Sequence, residues 1–307
     1  MVAVLALAQG SLWINPLTAT EGWQATVVWE LRLPRVLLAM LVGSSLGLAG
    51  AALQGCLHNP LADPAIIGVS ACAALGAVIA IYTGIAALAW FVLPLAGLLG
   101  ATLSVVLVWV LAGHHAGALS LILGGMAVNA LVGALIALVL SVAENPFAMS
   151  EMLHWLLGSL ANSSLYEVAI AAPFAALGMF LLLRSRAFID AMTLGEEAAA
   201  SLGYPARRWR WIVVLAVAAA VGAAVSVSGN IGFVGLVVPH LLRPLVGHRP
   251  GALLLPSALG GALLLVLADL VVQNLSGNVE LKLGVVTALL GAPFFLLLIV
   301  RYRRSLW

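Results

Sequence analysis

Hydrophobic positions in this chain neither alternate nor form the one-sided stripe of a surface helix; they run in unbroken blocks. The blocks fall at 36–57, 66–82, 86–112, 118–142, 166–183, 211–228, 233–246, 253–272 and 283–300, separated by short stretches richer in polar residues, Gly and Pro. A helix crossing the hydrocarbon core needs roughly 20 apolar residues, and a helix apolar on every side must be buried in lipid or in a large core. A membrane barrel would instead show a period of two. The pattern predicts an all-α, polytopic membrane protein with a single transmembrane domain over residues 1–307. A further apolar stretch at 2–8 is too short to cross and lacks the basic start of a secretory signal. It reads as the stump of a first helix, truncated, or missing its start upstream.

Punctuation within the blocks adds detail. Gly43, Gly47, Gly50 and Gly55 stud the first block, and small residues let helices in lipid approach closely. Pro239 interrupts GFVGLVVPHLLR, which predicts a short or kinked span. After the turn at Pro146, residues 152–160 read as a short helix at the outer surface. Val42-Gly43, Gly50 and Pro60 share their spacing with Val221-Gly222, Gly229 and Pro239. That echo reads either as an inverted-topology repeat or as chance in a Gly- and Ala-rich chain.

Composition excludes the other broad classes. Apolar residues make up 64% of the chain and charged ones 8%, with a mean hydropathy of +1.18, whereas about a quarter of a soluble domain is charged. Cys56 and Cys72 lie in or beside apolar blocks, without metal-ligand spacing, as small packing residues. The net charge of +2 says little, but its distribution says more. Alternating the blocks across a membrane puts Arg184, Arg186, Arg207, Arg208, Arg210, Arg243, Arg249, Arg301, Arg303 and Arg304 on one side. Arg32, Arg35 and Lys282 fall on the other. Positive charge marks the cytoplasmic side, so the C-terminus is expected there and the Arg32–Arg35 entry outside.

No enzyme constellation is present. Asp269 and His240 are ionisable groups inside blocks; Asp269 reads as a helix-end residue bonded to its neighbours in preference to a proton-relay carboxylate. His114-His115 reads as a solvated turn, because an adjacent pair cannot close a metal shell alone. No phosphate-cradling loop occurs, so nucleotide energy would have to come from another chain. The longest polar interruption, 184–210, contains TLGEEAAASLG between Thr193 and Gly203. Leu194, Ala198, Ala199 and Leu202 are expected to share one face of a short helix there, leaving Glu196 and Glu197 more exposed, as a lever for a cytosolic partner. Arg32 and Arg35 read as interfacial anchors or as a cationic patch for carboxylates of an outer partner, and the presence of two arginines on the side where positive charge is disfavoured points to the patch.

Taken in order, five motifs resemble one family. They are RLPR; G-x6-G-x3-Q-G-x3-NPLADP, which carries Gly43, Gly50, Gln54, Asn59 and Pro60; LGEEAAASLG; GFVGLVVPHLLR with Pro239; and GVVTALLGAPFF. Together they are similar to the iron-chelate and vitamin B12 permeases of ABC importers, over about residues 31–300. The resemblance implies a ten-helix permease of the type II importer class that pairs with a second copy of itself around a central path. Two cytosolic ATPase subunits would dock below, holding the ATP-Mg, and a periplasmic substrate-binding protein would deliver from above. This chain would bind no cofactor and carry out no catalysis. Leu194, Gly195, Glu196, Glu197, Ala199, Leu202 and Gly203 would form the coupling helices. Arg32 and Arg35 would pair with glutamates of the binding protein, and Ala118 and Leu119 would lie at the cytoplasmic gate. Gly43, Gly50, Gln54, Asn59, Pro60 and Pro239 would pack helices and line the path.

Three departures stand out against the family pattern. The first helix is short, Gln273 replaces an outer Arg, and Lys282 stands in the ELKLG segment as a candidate replacement cation. The expectation is therefore a permease subunit in a bacterial inner membrane, moving haem, a ferric siderophore or cobalamin by alternating access. Nucleic acid is not expected as a partner. An ion- or proton-coupled secondary carrier and a non-transporting scaffold are the alternatives.

Overall fold

The computed structural model describes residues 2–9, 13–16, 19, 21–113, 117–161, 163–275 and 281–305. Its helices in chain order begin with α1 (Val2–Ala8), α2 (Gly22–Cys56), α3 (Val69–Tyr82), α4 (Val92–Ala112) and α5 (Ala118–Ser141). There follow α6 (Pro146–Leu156), α7 (Leu165–Arg184), α8 (Arg186–Met192) and α9 (Glu196–Ser201). The last four are α10 (Ala206–Ser228), α11 (Val234–Leu242), α12 (Pro250–Leu275) and α13 (Leu283–Ser305). Among the described residues, α2, α4, α5, α7, α10 and α12 are long and apolar enough to cross a membrane.

The core is built around α2 and α10, the two most enclosed of these helices, at 78% and 72% buried. Their packing is backbone against backbone. Gly43 of α2 lies against Gly261 of α12, and a Cβ on either would overlap the other's carbonyl oxygen. One turn further, Gly47 meets Ser257, and Gly50 meets Gly235 of α11 in the same manner. In lipid there is no hydrophobic force between helices, so such close approach supplies the dispersion contact that holds them. The register is antiparallel: Arg35 of α2 pairs with Asp269 of α12, and Gly43 lies against Gly261. Helix α10 also opposes α2, because Ala206–Arg210 lies with the α8–α9 segment that contacts His58, while Gly229 reaches Trp155 of α6.

Several boundaries differ from the sequence expectation, each for a physical reason. The first spanning helix starts at Gly22 instead of residue 36, with RLPR inside it. Residues Val27–Arg32 widen into a π turn in which Leu33 N–H bonds to Val28 O. The wider turn precedes Pro34, whose ring would otherwise clash with the preceding helical carbonyl. The second block begins as a 3-10 turn, Pro64–Ile67, ended by left-handed Gly68, so α3 spans only Val69–Tyr82. The outer helix is Pro146–Leu156, started by Asn145 accepting from Phe147 N–H.

The span that holds Pro239 is short, as expected. Residues 229–233 are non-helical, and α11 holds Pro239 within its nine residues. Phe233, at φ +67, turns the chain into the helix, and Gly291 of α13 leaves room for it where a Cβ would overlap. Because Gly235 packs beside Leu46 and Gly50 of α2, this segment enters the bundle well inside its end. The residues matched in the sequence echo do different jobs. Gly50 is a mid-helix packing contact and Gly229 a left-handed turn; Pro60 lies in a loop and Pro239 in a helix.

Candidate functional site

Chemistry-bearing residues gather at the two ends of the bundle. At the end where α2 begins, Arg35 donates to Asp269 through Nε, at 2.8 Å to Oδ2 and 3.1 Å to Oδ1, and through Nη2 at 2.8 Å to Oδ1. Gln273, one turn on, donates to Oδ2 at 2.8 Å. Asp269 is therefore a buried, saturated carboxylate held by a guanidinium fork, which is the helix-end role read from sequence. Arg32 turns the other way: its Nη1 donates to Leu7 O at 3.0 Å and Ala8 O at 2.8 Å. These are carbonyls that end α1 and have no intrahelical partner. The short first helix is thereby docked on the core, with Ala6 and Ala8 buried.

The picture of two outward cations is corrected by this geometry. Arg32 is 9% exposed and engaged with backbone; Arg35, with a side chain 22% exposed, is the one that reaches the surface. Lys282 lies at the same end in a cleft of about 300 Å³ with Glu151, His154, Glu167, Trp90 and Trp155. It is not beside Arg35, and Glu280 of the same ELKLG segment lies outside the described residues.

At the opposite end, α8 and α9 form a small platform. Gly195 at φ +96 and Gly203 at φ +88 bracket α9, conformations that favour glycine. Phe188 stacks on Trp209 at 5.8 Å and Tyr204 meets the same ring at 5.5 Å, seating the platform on α10. The expected shared face of Leu194, Ala199 and Leu202 is not found. Ala199 is fully buried, whereas Leu194 and Leu202 are 67% and 59% exposed and project outward with Glu197. Six residues make less than two turns, so Leu194 and Leu202 lie in the flanking turns and are free of the helix's periodicity. Glu196 folds back to accept from Nη2 of Arg210, itself buried.

The same end holds Gln54, Asn59 and Pro60. Gln54 accepts from Arg243 Nη2 at 2.6 Å and donates to Gly235 O at 3.3 Å, tying α2 to α11. Asn59 accepts from Leu61 N–H at 2.9 Å, shaping the turn that Pro60 enters. His58 adopts φ +50 just past the end of α2, and its Nε2 is 2.8 Å from Met192 O. Asp190 Oδ1 accepts from Gly251 N–H at 2.8 Å, at the start of α12. Sequence reasoning missed His58, Asp190 and Arg210 as a group, because nothing in their spacing says that they meet. At the start of α5, Ala118 is half-buried and Leu119 is 70% exposed. His114 and His115 lie outside the described residues.

Next to the Lys282 cleft, the non-helical 229–233 segment borders an open cleft of about 600 Å³. Leu157, Asn230, Phe233, Val285 and Ala288 line it, and none of its lining residues is charged. Irregular backbone at membrane depth is tolerated where it is enclosed by protein or faces a cavity. Among the described residues no cluster of three His, Cys, Asp or Glu is placed to hold a metal.

Known proteins share this arrangement. A family model described as the FecCD transport family matches residues 1–301. The chain is 41% identical to a vitamin B12 import system permease protein of Vibrio cholerae, over 99% of this chain and 92% of that protein. It is 40% identical to an uncharacterized ABC transporter permease protein of Bacillus subtilis, over 91% of this chain and 80% of that one. A solved structure of a metal-chelate type ABC transporter, described as inward-facing, superposes with a TM-score of 0.89 at 33% identity, covering 98% of this chain and 95% of that one. With motifs, helical order and full-length similarity in agreement, this chain belongs to the FecCD transport family, as an ABC importer permease.

Proposed function

We propose that two copies of this chain form the membrane path of an importer for cobalamin. The path would be opened to either side in turn by two ATPase subunits at the α8–α9 platform and a binding protein at the Arg35 end. The observation that carries the substrate class is full-length similarity, at 33–41% identity, to permeases named for vitamin B12 import. The uncharged cavity beside 229–233 agrees with it, since a bulky corrinoid needs room more than ion pairing. Arg35, held by Asp269 yet still reaching the surface, supports a docking role for its guanidinium. With its Nε and Nη2 held by Asp269, Arg35 would turn the Nη1 side of its guanidinium to a carboxylate of the binding protein. Leu194, Leu202 and Glu197 offer an exposed, mixed apolar and acidic surface to the ATPase. Ala118 and Leu119, at the platform end of α5, are positioned for the inner gate.

The platform end carries most of the arginines and is assigned to the cytoplasm. A proton-coupled carrier finds no support, because its candidate carboxylate, Asp269, is saturated by Arg35 and Gln273. The test is uptake into liposomes holding the chain, its ATPase and its binding protein. Cobalamin should accumulate only with ATP-Mg and both partners, ahead of a ferric siderophore or haem. Uptake by the chain alone, or preference for another chelate, would overturn the reading.

A further inference from the structure

The platform at the arginine-rich end is tied to three different long helices. Glu196 of α9 accepts from Arg210 of α10. Met192 O at the end of α8 meets His58, the residue next after the end cap of α2. Asp190 of α8 accepts from Gly251 N–H at the start of α12. These are not interchangeable links. The last two engage backbone, which tolerates small shifts, whereas the first joins two side chains and buries a charge.

Arg210 is 4% exposed, and its Nε has no hydrogen-bond partner. Burying a guanidinium is costly, and an apolar residue of similar size in such a place is often as stable or more so. Stability alone therefore does not account for it. Fixing how two elements sit relative to each other is one attested use of a buried charge, and the carboxylate that answers this one is itself 59% exposed. Here the elements are the exposed platform and one of the two most enclosed helices of the bundle.

We propose that Glu196 and Arg210 are a positioning pair that locks α9 to α10, so that displacement of the platform by the ATPase moves α10 with it. Glu196 accordingly turns its carboxylate onto Arg210 while its side chain stays 59% exposed, and Leu194, Leu202 and Glu197 would face the ATPase. This rests on the reading of α8–α9 as the ATPase-docking platform, and its failure is distinguishable from the failure of that reading.

The experiment uses the full complex with ATPase and binding protein in liposomes. It reads three quantities: ATPase co-purification, ATP hydrolysis, and cobalamin moved per ATP hydrolysed. R210E should keep co-purification and hydrolysis while transport per ATP falls about tenfold or more, E196R should show the same fall in transport per ATP, and the E196R/R210E double should recover to within about threefold of the unmodified chain. Transport per ATP at the unmodified level in either single variant would overturn the proposal. So would a double no better than the singles, or loss of co-purification in R210E. R210M covers the case in which the reversals fail to fold. Removing the buried charge should leave thermal stability equal or higher while transport per ATP still drops about tenfold; undiminished transport per ATP in R210M overturns the proposal. L202D tests the platform reading separately: unchanged ATPase co-purification there would sink that reading.

Discussion

Asp269 has two donors and little solvent, and its behaviour on substitution follows from that. Asp269→Asn leaves the Arg35 guanidinium facing an amide in a half-buried place. Breaking a buried pair costs about 3–5 kcal/mol, and Arg35 is partly solvated, so about 2 kcal/mol is expected. Thermal unfolding in detergent should show the loss, and an Arg35→Gln/Asp269→Asn double should regain most of it. A greater stability in Asp269→Asn alone would contradict the assignment. His58 offers a subtler contrast. It occupies the left-handed position after α2, where Asn59 N–H bonds back to Gln54 O at 3.2 Å, a place usually given to glycine. His58→Gly relieves backbone strain while losing the bond to Met192 O, effects of about 1 kcal/mol each and of opposite sign. His58→Ala loses the bond and keeps the strain. Denaturation should therefore rank Gly above Ala by about 1 kcal/mol at this position.

Helix contacts in this protein depend on the absence of side chains at particular points. Gly43→Ala must push α2 away from α12, because its Cβ would meet the Gly261 carbonyl, and backbone cannot rotate aside as a flexible side chain does. Overpacking of this kind costs about 1–3 kcal/mol or more. Gly124→Ala on α5 is the control: its nearest neighbour would be Leu111 Cβ at 3.7 Å, an ordinary contact. There the better helix propensity of Ala should gain up to about 1 kcal/mol. Melting temperatures moving in opposite directions for the two variants are the expected result. Both glycines sit in similar apolar runs. What separates them is the helix across the gap, and a one-dimensional pattern carries no information about that.

At the scale of the molecule, the surface is apolar where a soluble protein would be polar. Along α5, Leu119, Leu123, Met126, Leu131 and Leu138 are all more than half exposed. Such a surface requires lipid, a second copy, or both. Cross-linking in native membranes through single cysteines placed along α5 should trap a dimer at some positions and none at others; absence of any dimer would count against the paired path. The arginine asymmetry is tested independently by a reporter fused after Trp307, which should be active only in the cytoplasmic compartment. A periplasmic signal would invert the whole assignment of partners to ends.

A helical, multi-span membrane protein could be read from the chain alone, because spanning length and all-round hydrophobicity are local or additive properties of it. The five ordered motifs extended that to the family, and the comparisons agree over the full length. The directions of the polar side chains were set by the folded arrangement. It spent Arg32 on the end of α1, turned Leu194 and Leu202 outward, and folded Glu196 back onto Arg210. It also set the non-helical stretch 229–233 ahead of the short α11, where Phe233 packs on Gly291 of α13. Each of these outcomes depends on partners far away in the chain: 25 residues between Arg32 and Leu7, 234 between Arg35 and Asp269. Periodicity and spacing describe what a residue's own segment does, whereas the energy of a buried polar group is set by whichever distant group the fold brings to meet it.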